Sequence, residues 1–146
     1  MNKTIYIILL LVAFVVVSCE RNEEKIELTS ALNGEWEVVA YLGDTPIHDG
    51  AFPLIISSDF PLKTDSITIN DTSKYFWNFQ VKVSADHKSG AFETKKSVCE
   101  HCRYGIGIKV FNGQIIDSDS IYLEIQFEDD ETPYGNTYQL KGHRIN

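Results

Sequence analysis

Cys99-Glu100-His101-Cys102 is where reactive side chains crowd most closely in this 146-residue chain. Two thiols three positions apart beside an imidazole admit three chemistries. A redox pair needs a lowered thiol pKa, which a neighbouring imidazolium or a helix N-terminus supplies. No helical periodicity follows Cys102, and Gly105-Ile106-Gly107-Ile108 reads as strand. Zinc needs four converging ligands, and no second Cys-x-x-Cys is present. A structural pair would stiffen a loop between two strands, with little entropic gain because so few residues are enclosed. The structural reading, a Cys99–Cys102 disulfide, is the expectation. Metal and redox chemistry stand as its alternatives, and neither a metal nor a cofactor is assigned.

Hydrolysis needs a nucleophile with its base. No Gly-x-Ser-x-Gly elbow occurs, which removes the strained strand-to-helix turn that exposes a serine. His48-Asp49 and Asp86-His87 read as solvated turn pairs. No residue is assigned a catalytic role, and a hydrolase is the third of three functional readings.

The remaining cysteine, Cys19, is defined by what precedes it. Lys3 is a positive start, Ile5 to Val17 is an uncharged apolar run, and Val16-Val17-Ser18-Cys19 closes it. A secretory signal peptide has this charged start, a run of about 7–15 apolar residues and a small residue at the cut. Thirteen residues fall short of the roughly 20 that span a bilayer. The segment Val16–Cys19 resembles the lipobox of bacterial lipoproteins. The resemblance implies cleavage before Cys19 and acylation of its thiol with palmitate-type chains. Each buried methylene contributes about 0.8 kcal/mol, so two chains hold firmly. Residues 1–18 are then a signal peptide, 19–30 a lipidated tether and 31–146 one domain. The acidic Glu20–Lys25 stretch resembles surface-export signals of Bacteroidetes lipoproteins, interrupted here by Arg21. The expected location is the outer membrane of a cell envelope, on its periplasmic face or at the cell surface.

Composition narrows the partners. The chain carries a formal charge of −8, so no basic surface exists to neutralise phosphates, and nucleic acid is excluded as a partner. Plain solubility accounts for the acidity. With Cys19 acylated, Cys99 and Cys102 remain as an even pair in an exported protein, which suits a disulfide.

Alternation dominates beyond the tether. Trp36, Val38, Ala40 and Leu42 share one face, as do Ile67 and Ile69. Tyr75, Trp77, Phe79, Val81 and Val83 form a longer stripe over Tyr75–Val83, and Ile121, Leu123, Ile125 and Phe127 another over Ser120–Glu128. Phe52–Ser58, Ala91–Val98, Gly105–Val110, Gln114–Ile116 and Asn136–Ile145 complete the set of expected strands. Gly43-Asp44, Asp49-Gly50, Asn70-Asp71, Ser89-Gly90, Asn112-Gly113 and Gly135-Asn136 punctuate them. Asn112-Gly113 predicts a two-residue hairpin, and Pro53 and Pro61 predict edges, bulges or loops. Eight or nine short strands at this spacing predict an all-β chain closed into a barrel or packed as a sandwich.

Gly34-Glu35-Trp36 at the start of the first strand resembles the Gly-x-Trp signature of lipocalins and related calycin barrels. The resemblance implies a single antiparallel up-and-down barrel with Trp36 closing one end and a basic residue, here Arg144, packed across its ring. Asp49–Leu54, Phe76–Val83 and Tyr138–Arg144 extend the likeness to a Bacteroidetes lipoprotein family labelled lipid-binding putative hydrolase. The last strand runs almost to Asn146, so the C-terminal helix of lipocalins is not expected.

Alternate residues Trp77, Phe79, Val81, Leu123 and Ile125 are the candidate lining of a ligand cavity. Eight-stranded barrels either fill with side chains or hold one small ligand, and periodicity leaves both open. The expected function is binding of a small lipophilic or amphiphilic ligand by a membrane-anchored barrel without catalysis. A filled barrel would instead suit an accessory subunit with a protein partner in the envelope. Asp65-Ser66-Ile67 and Asp119-Ser120-Ile121 also resemble a short O-glycosylation signal of exported Bacteroidetes proteins.

Overall fold

The computed structural model describes residues 31–47, 50–58, 65–72, 76–86, 88–102, 104–130 and 134–145. Alternating sequence becomes alternating burial. The first strand, β1 (Gly34–Leu42), buries Trp36, Val38 and Ala40 and turns Glu35 and Glu37 to water. The same period runs through β3 (Phe52–Ser58), β4 (Ser66–Asp71), β5 (Gln80–Asp86) and β8 (Ser120–Phe127), and β6 (Ala91–Val98), β7 (Gly107–Ile115) and β9 (Tyr138–Arg144) complete the wall. A two-residue strand, β2 (Thr45–Pro46), folds back on the end of β1 through Gly43-Asp44. Gly43 takes φ 62° there, a conformation that suits glycine.

Every neighbouring pair is antiparallel, in the order β2-β1-β3-β4-β5-β6-β7-β8-β9. The sheet then closes on itself. β1 pairs with β9 from Trp36↔Arg144 to Leu42↔Tyr138. The result is an up-and-down barrel of eight strands with β2 as an appendage. Each wall strand has a partner on both sides, so no long edge is left to pair with another chain. The buried hydrophobic cluster lies inside this wall.

Three local expectations change. The stripe from Tyr75 to Val83 is not one strand: pairing with β4 starts at Gln80, and Phe76–Phe79 is an unladdered segment at the barrel's end. Tyr75 lies outside the described residues. Asn112-Gly113 is not a hairpin but a bulge within a continuous β7, where the register to β8 shifts between Phe111 and Gln114. Asn112 takes φ 51° to make it. Gly113 lacks a side chain because the Phe92 ring and carbonyl stand where a Cβ would be. Bulges of this kind sharpen the coiling that closure demands. Finally, Pro53 pairs with Glu37 of β1, while the β4 ladder begins one residue later at Leu54. Pro61 lies outside the described residues.

The interior is filled. A void able to hold a water molecule would leave accessible area on the side chains around it. Trp36, Val38, Leu54, Ile69, Val81, Ile108, Val110, Leu123, Ile125 and Leu140 each have 0%. Burying such side chains contributes about 1.5–3 kcal/mol each, and close packing rather than a hollow holds the wall together.

Candidate functional site

The two ends of the barrel differ in chemistry. At one end β1 begins and β9 stops. The Arg144 guanidinium lies 4.3 Å from the centre of the Trp36 ring, a cation–π contact favourable by about 0.5–2 kcal/mol. Its fork also donates to the carbonyls of Asn33 (2.7 Å), Ser118 (3.3 Å) and Ala31. The indole Nε1 donates to the Leu32 carbonyl at 3.4 Å. Gly34 sits under this seal at φ 147°, and a Cβ there would meet Arg144 Nη1. The spacing Gly34-x-Trp36 thus has a mechanical cause: the glycine makes room for the cation that covers the tryptophan.

The opposite end carries a cluster of rings. The Phe76 ring lies against Phe52 (5.5 Å, interplanar 22°), Trp77 (5.1 Å), Phe127 (5.7 Å), Tyr138 (5.3 Å) and Phe79 (6.4 Å). Trp77 stacks flat on Phe127 at 4.5 Å and 7°. Phe52, Phe79, Phe127 and Tyr138 are buried wall and core residues, whereas Phe76 and Trp77 keep accessible surface. These two belong to the segment between β4 and β5, which no strand ladder holds. Asp71, fully buried at the end of β4, fastens it instead. Its Oδ2 accepts the N–H of Trp77 (3.2 Å) and of Asn78 (2.9 Å), and its own N–H donates to the Phe79 carbonyl at 2.8 Å. Asn78 takes φ 49° to complete the turn.

Carboxylates ring this mouth. Glu100 accepts from Gln80 Nε2 (2.6 Å), Glu128 from the Gly107 N–H (2.8 Å) and Asp130 from the Tyr138 hydroxyl (2.6 Å). Lys109 reaches over the Tyr134 ring, 3.9 Å from its centre. Cys99 and Cys102 form a disulfide at the same end. Cys99 is buried, and the Glu100 N–H, between the two cysteines, donates to the Gln80 carbonyl at 3.0 Å. The bridge therefore braces the residue that follows the aromatic segment. His101 is exposed beside it. Among the described residues no group of three or more His, Cys, Asp or Glu could hold a metal ion.

Of the five candidate lining residues, Phe79, Val81, Leu123 and Ile125 point inward at 0% exposure, with no water-sized space beside them. Only Trp77 retains accessible surface, and it stands at the mouth. Phe76 and Asp71 were not singled out by sequence. Phe76 falls on the opposite parity from Trp77, and Asn70-Asp71 reads as an ordinary turn. Cys19, His48, Asp49 and His87 lie outside the described residues.

One row on the outer wall has hydrolytic residue types. Glu37, His143 and Ser120 are successive cross-strand partners on β1, β9 and β8. His143 Nε2 lies 3.3 Å from Glu37 Oε2, with the two side chains 62% and 47% exposed. Ser120 instead donates its hydroxyl to Asp117 at 3.2 Å. The Asp119 N–H first, and that bond second, hold the Asp117 carboxyl below the usual range. The row is open to water and its serine is turned to a carboxylate, so it lacks a nucleophile–base contact. The Ser66 hydroxyl of the other Asp-Ser-Ile is buried with no hydrogen-bond partner among the described residues. A concavity of about 580 Å³ is lined by apolar and polar groups of β5, β6 and β7, among them Ala85, Phe92, Ser84, Glu93, Asn112 and Gln114. It lies away from the aromatic mouth and gathers no reactive set.

A search of curated proteins finds no match. A family model described as lipid-binding putative hydrolase matches residues 21–145, nearly the whole chain and every strand of the barrel. The chain belongs to the lipid-binding putative hydrolase family.

Proposed function

We propose that the protein is an exported lipoprotein, acylated at Cys19, whose lipocalin-like barrel binds a small lipophilic or amphiphilic molecule at its aromatic mouth without catalysis. The observation that carries this reading is the ring cluster around Phe76 and Trp77, two half-buried aromatics on an unladdered segment at the end opposite the Arg144 seal. Apolar sites with a few fixed polar groups are the usual form of small-molecule pockets. The family description points the same way. Residues 1–18 act as the signal peptide and 19–30 as the tether, so the domain sits on the outer membrane with its sealed end nearest the anchor. A titration of the chain from Glu20 onward with N-phenyl-1-naphthylamine tests the binding half. Saturable enhancement at one probe per chain is the expected result, and a linear, non-saturating signal would sink it. Radiolabelled palmitate incorporated by the full chain but not by Cys19→Ala tests the anchor.

The filled interior favours a second reading: a non-enzymatic accessory subunit of an envelope complex, with the barrel as a rigid docking body. Crosslinking of the intact lipoprotein in its membrane would recover a defined protein partner in that case, and the probe titration would stay flat.

A further inference from the structure

We propose that Phe76 occupies the ligand's own place, and that the ligand is a flat, uncharged ring system rather than a long acyl chain. The inference rests on the reading of the mouth as a binding site and narrows what enters it. Depth is the first argument. Directly inside the ring cluster, Val81, Leu123 and Ile125 leave no water-sized space, so a chain of many methylenes has nowhere to lie. A group one ring deep is all the mouth can take.

Shape is the second argument. Phe76 lies nearly parallel to the Phe52 ring and meets Phe127 and Tyr138 edge-on, at 69° and 84°. These are the offset-stacked and T-shaped geometries that aromatic groups prefer. The wall rings are buried and fixed on β3, β8 and β9, whereas Phe76 is half-exposed on a segment outside the strand ladder, anchored where Asp71 accepts the N–H of Trp77 and of Asn78. A planar guest that displaced Phe76 would inherit all three contacts without moving the wall. Charge is the third argument. The carboxylates of Glu100, Glu128 and Asp130 outnumber the single Lys109 ammonium described at the same end, which disfavours an anionic head group.

The test uses the chain from Glu20 onward, which retains the whole barrel. N-phenyl-1-naphthylamine is titrated against cis-parinaric acid, a fluorescent fatty acid without a ring, with wild type and Phe76→Ala in parallel. The naphthylamine is expected to bind at least tenfold tighter than the parinaric acid, and Phe76→Ala is expected to tighten it severalfold. Nuclear Overhauser spectra of the wild type give a second readout. At saturation the probe should contact Phe52 and Phe127, while Phe76 loses its contacts to both. Saturable naphthylamine binding that Phe76→Ala leaves unchanged or weakens, with Phe76 contacts retained, overturns the displacement idea and leaves the ligand-binding reading standing. Equal or tighter binding of the parinaric acid overturns the ring preference alone. Binding of neither probe to either protein overturns both this inference and the reading beneath it.

Discussion

Replacing Arg144 with alanine should cost the barrel about 2–4 kcal/mol. The side chain contributes a cation–π contact over Trp36, about 0.5–2 kcal/mol. It also makes charge-assisted hydrogen bonds to the carbonyls of Asn33, Ser118 and Ala31, of which a partly buried one contributes about 1.5–3 kcal/mol net. Water would serve the freed carbonyls, so the three bonds do not add in full. For a domain of this size the loss corresponds to a fall in melting temperature of roughly 8–15 °C. Arg144→Lys keeps the charge but loses the planar fork, and should cost about half as much. Urea unfolding of the chain from Glu20 onward, followed by far-UV circular dichroism, measures both. A sharper test couples the seal to its glycine. Gly34→Ala places a methyl against the guanidinium and also strains φ 147°. In the Arg144→Ala background the clash is gone and only the backbone strain of about 1–3 kcal/mol remains. Gly34→Ala should therefore cost less there than in the wild type. Additive losses, or an Arg144→Ala protein within 0.5 kcal/mol of wild type, would refute the idea that these residues form one device.

Gly142→Ala should destabilise by about 1–3 kcal/mol, because a Cβ would meet the Glu37 carbonyl and lie 2.7 Å from Val38 Cγ1; a chemical melt reads it. Reducing the Cys99–Cys102 bridge should cost at most about 2 kcal/mol, the loop-closure limit for so small a ring, and should speed amide exchange at Gln80 and Glu100. Tyr122 is pushed up to about 12 by burial first and by its hydrogen bond to Glu124 second. Its neutral form is thus favoured by folding, so the stability it adds is whole below pH 10 and lost as pH climbs towards 12. Ultraviolet titration of Tyr122→Phe against wild type should remove one late-ionising phenol. Ser120→Ala should leave any ester hydrolysis by the protein unchanged, since that hydroxyl is committed to Asp117; a lost activity would return the outer row to consideration.

The barrel was legible in sequence because one buried face imposes a period of two on each strand, and Trp36, Ile67, Leu123 and their neighbours kept it strictly. What misled was parity without pairing. The run from Tyr75 to Val83 alternates like a strand, yet only its second half finds a partner, because the closing segment must leave the wall to reach the mouth. Asn112-Gly113 misled for a related reason: positive φ serves a bulge as well as a hairpin, and only the continuation of β7 past Gly113, still paired with β8, decides between them. The Gly34–Arg144 relation spans almost the entire chain and entered through a family likeness, not through any local signal. Phe76 stayed hidden because its neighbours beyond its own segment come from three separate strands.

The seam between β1 and β9 also sets how the domain bears load. Its first and last strands run antiparallel with Gly34 and Arg144 at the same end. Tension between the two termini would fall on one rung at a time, as in a zip, and not across the whole row as in a sheared joint. The guanidinium over Trp36 is the slider stop of that zip, so the resistance of the domain to pulling would be concentrated in its first few ångströms of extension.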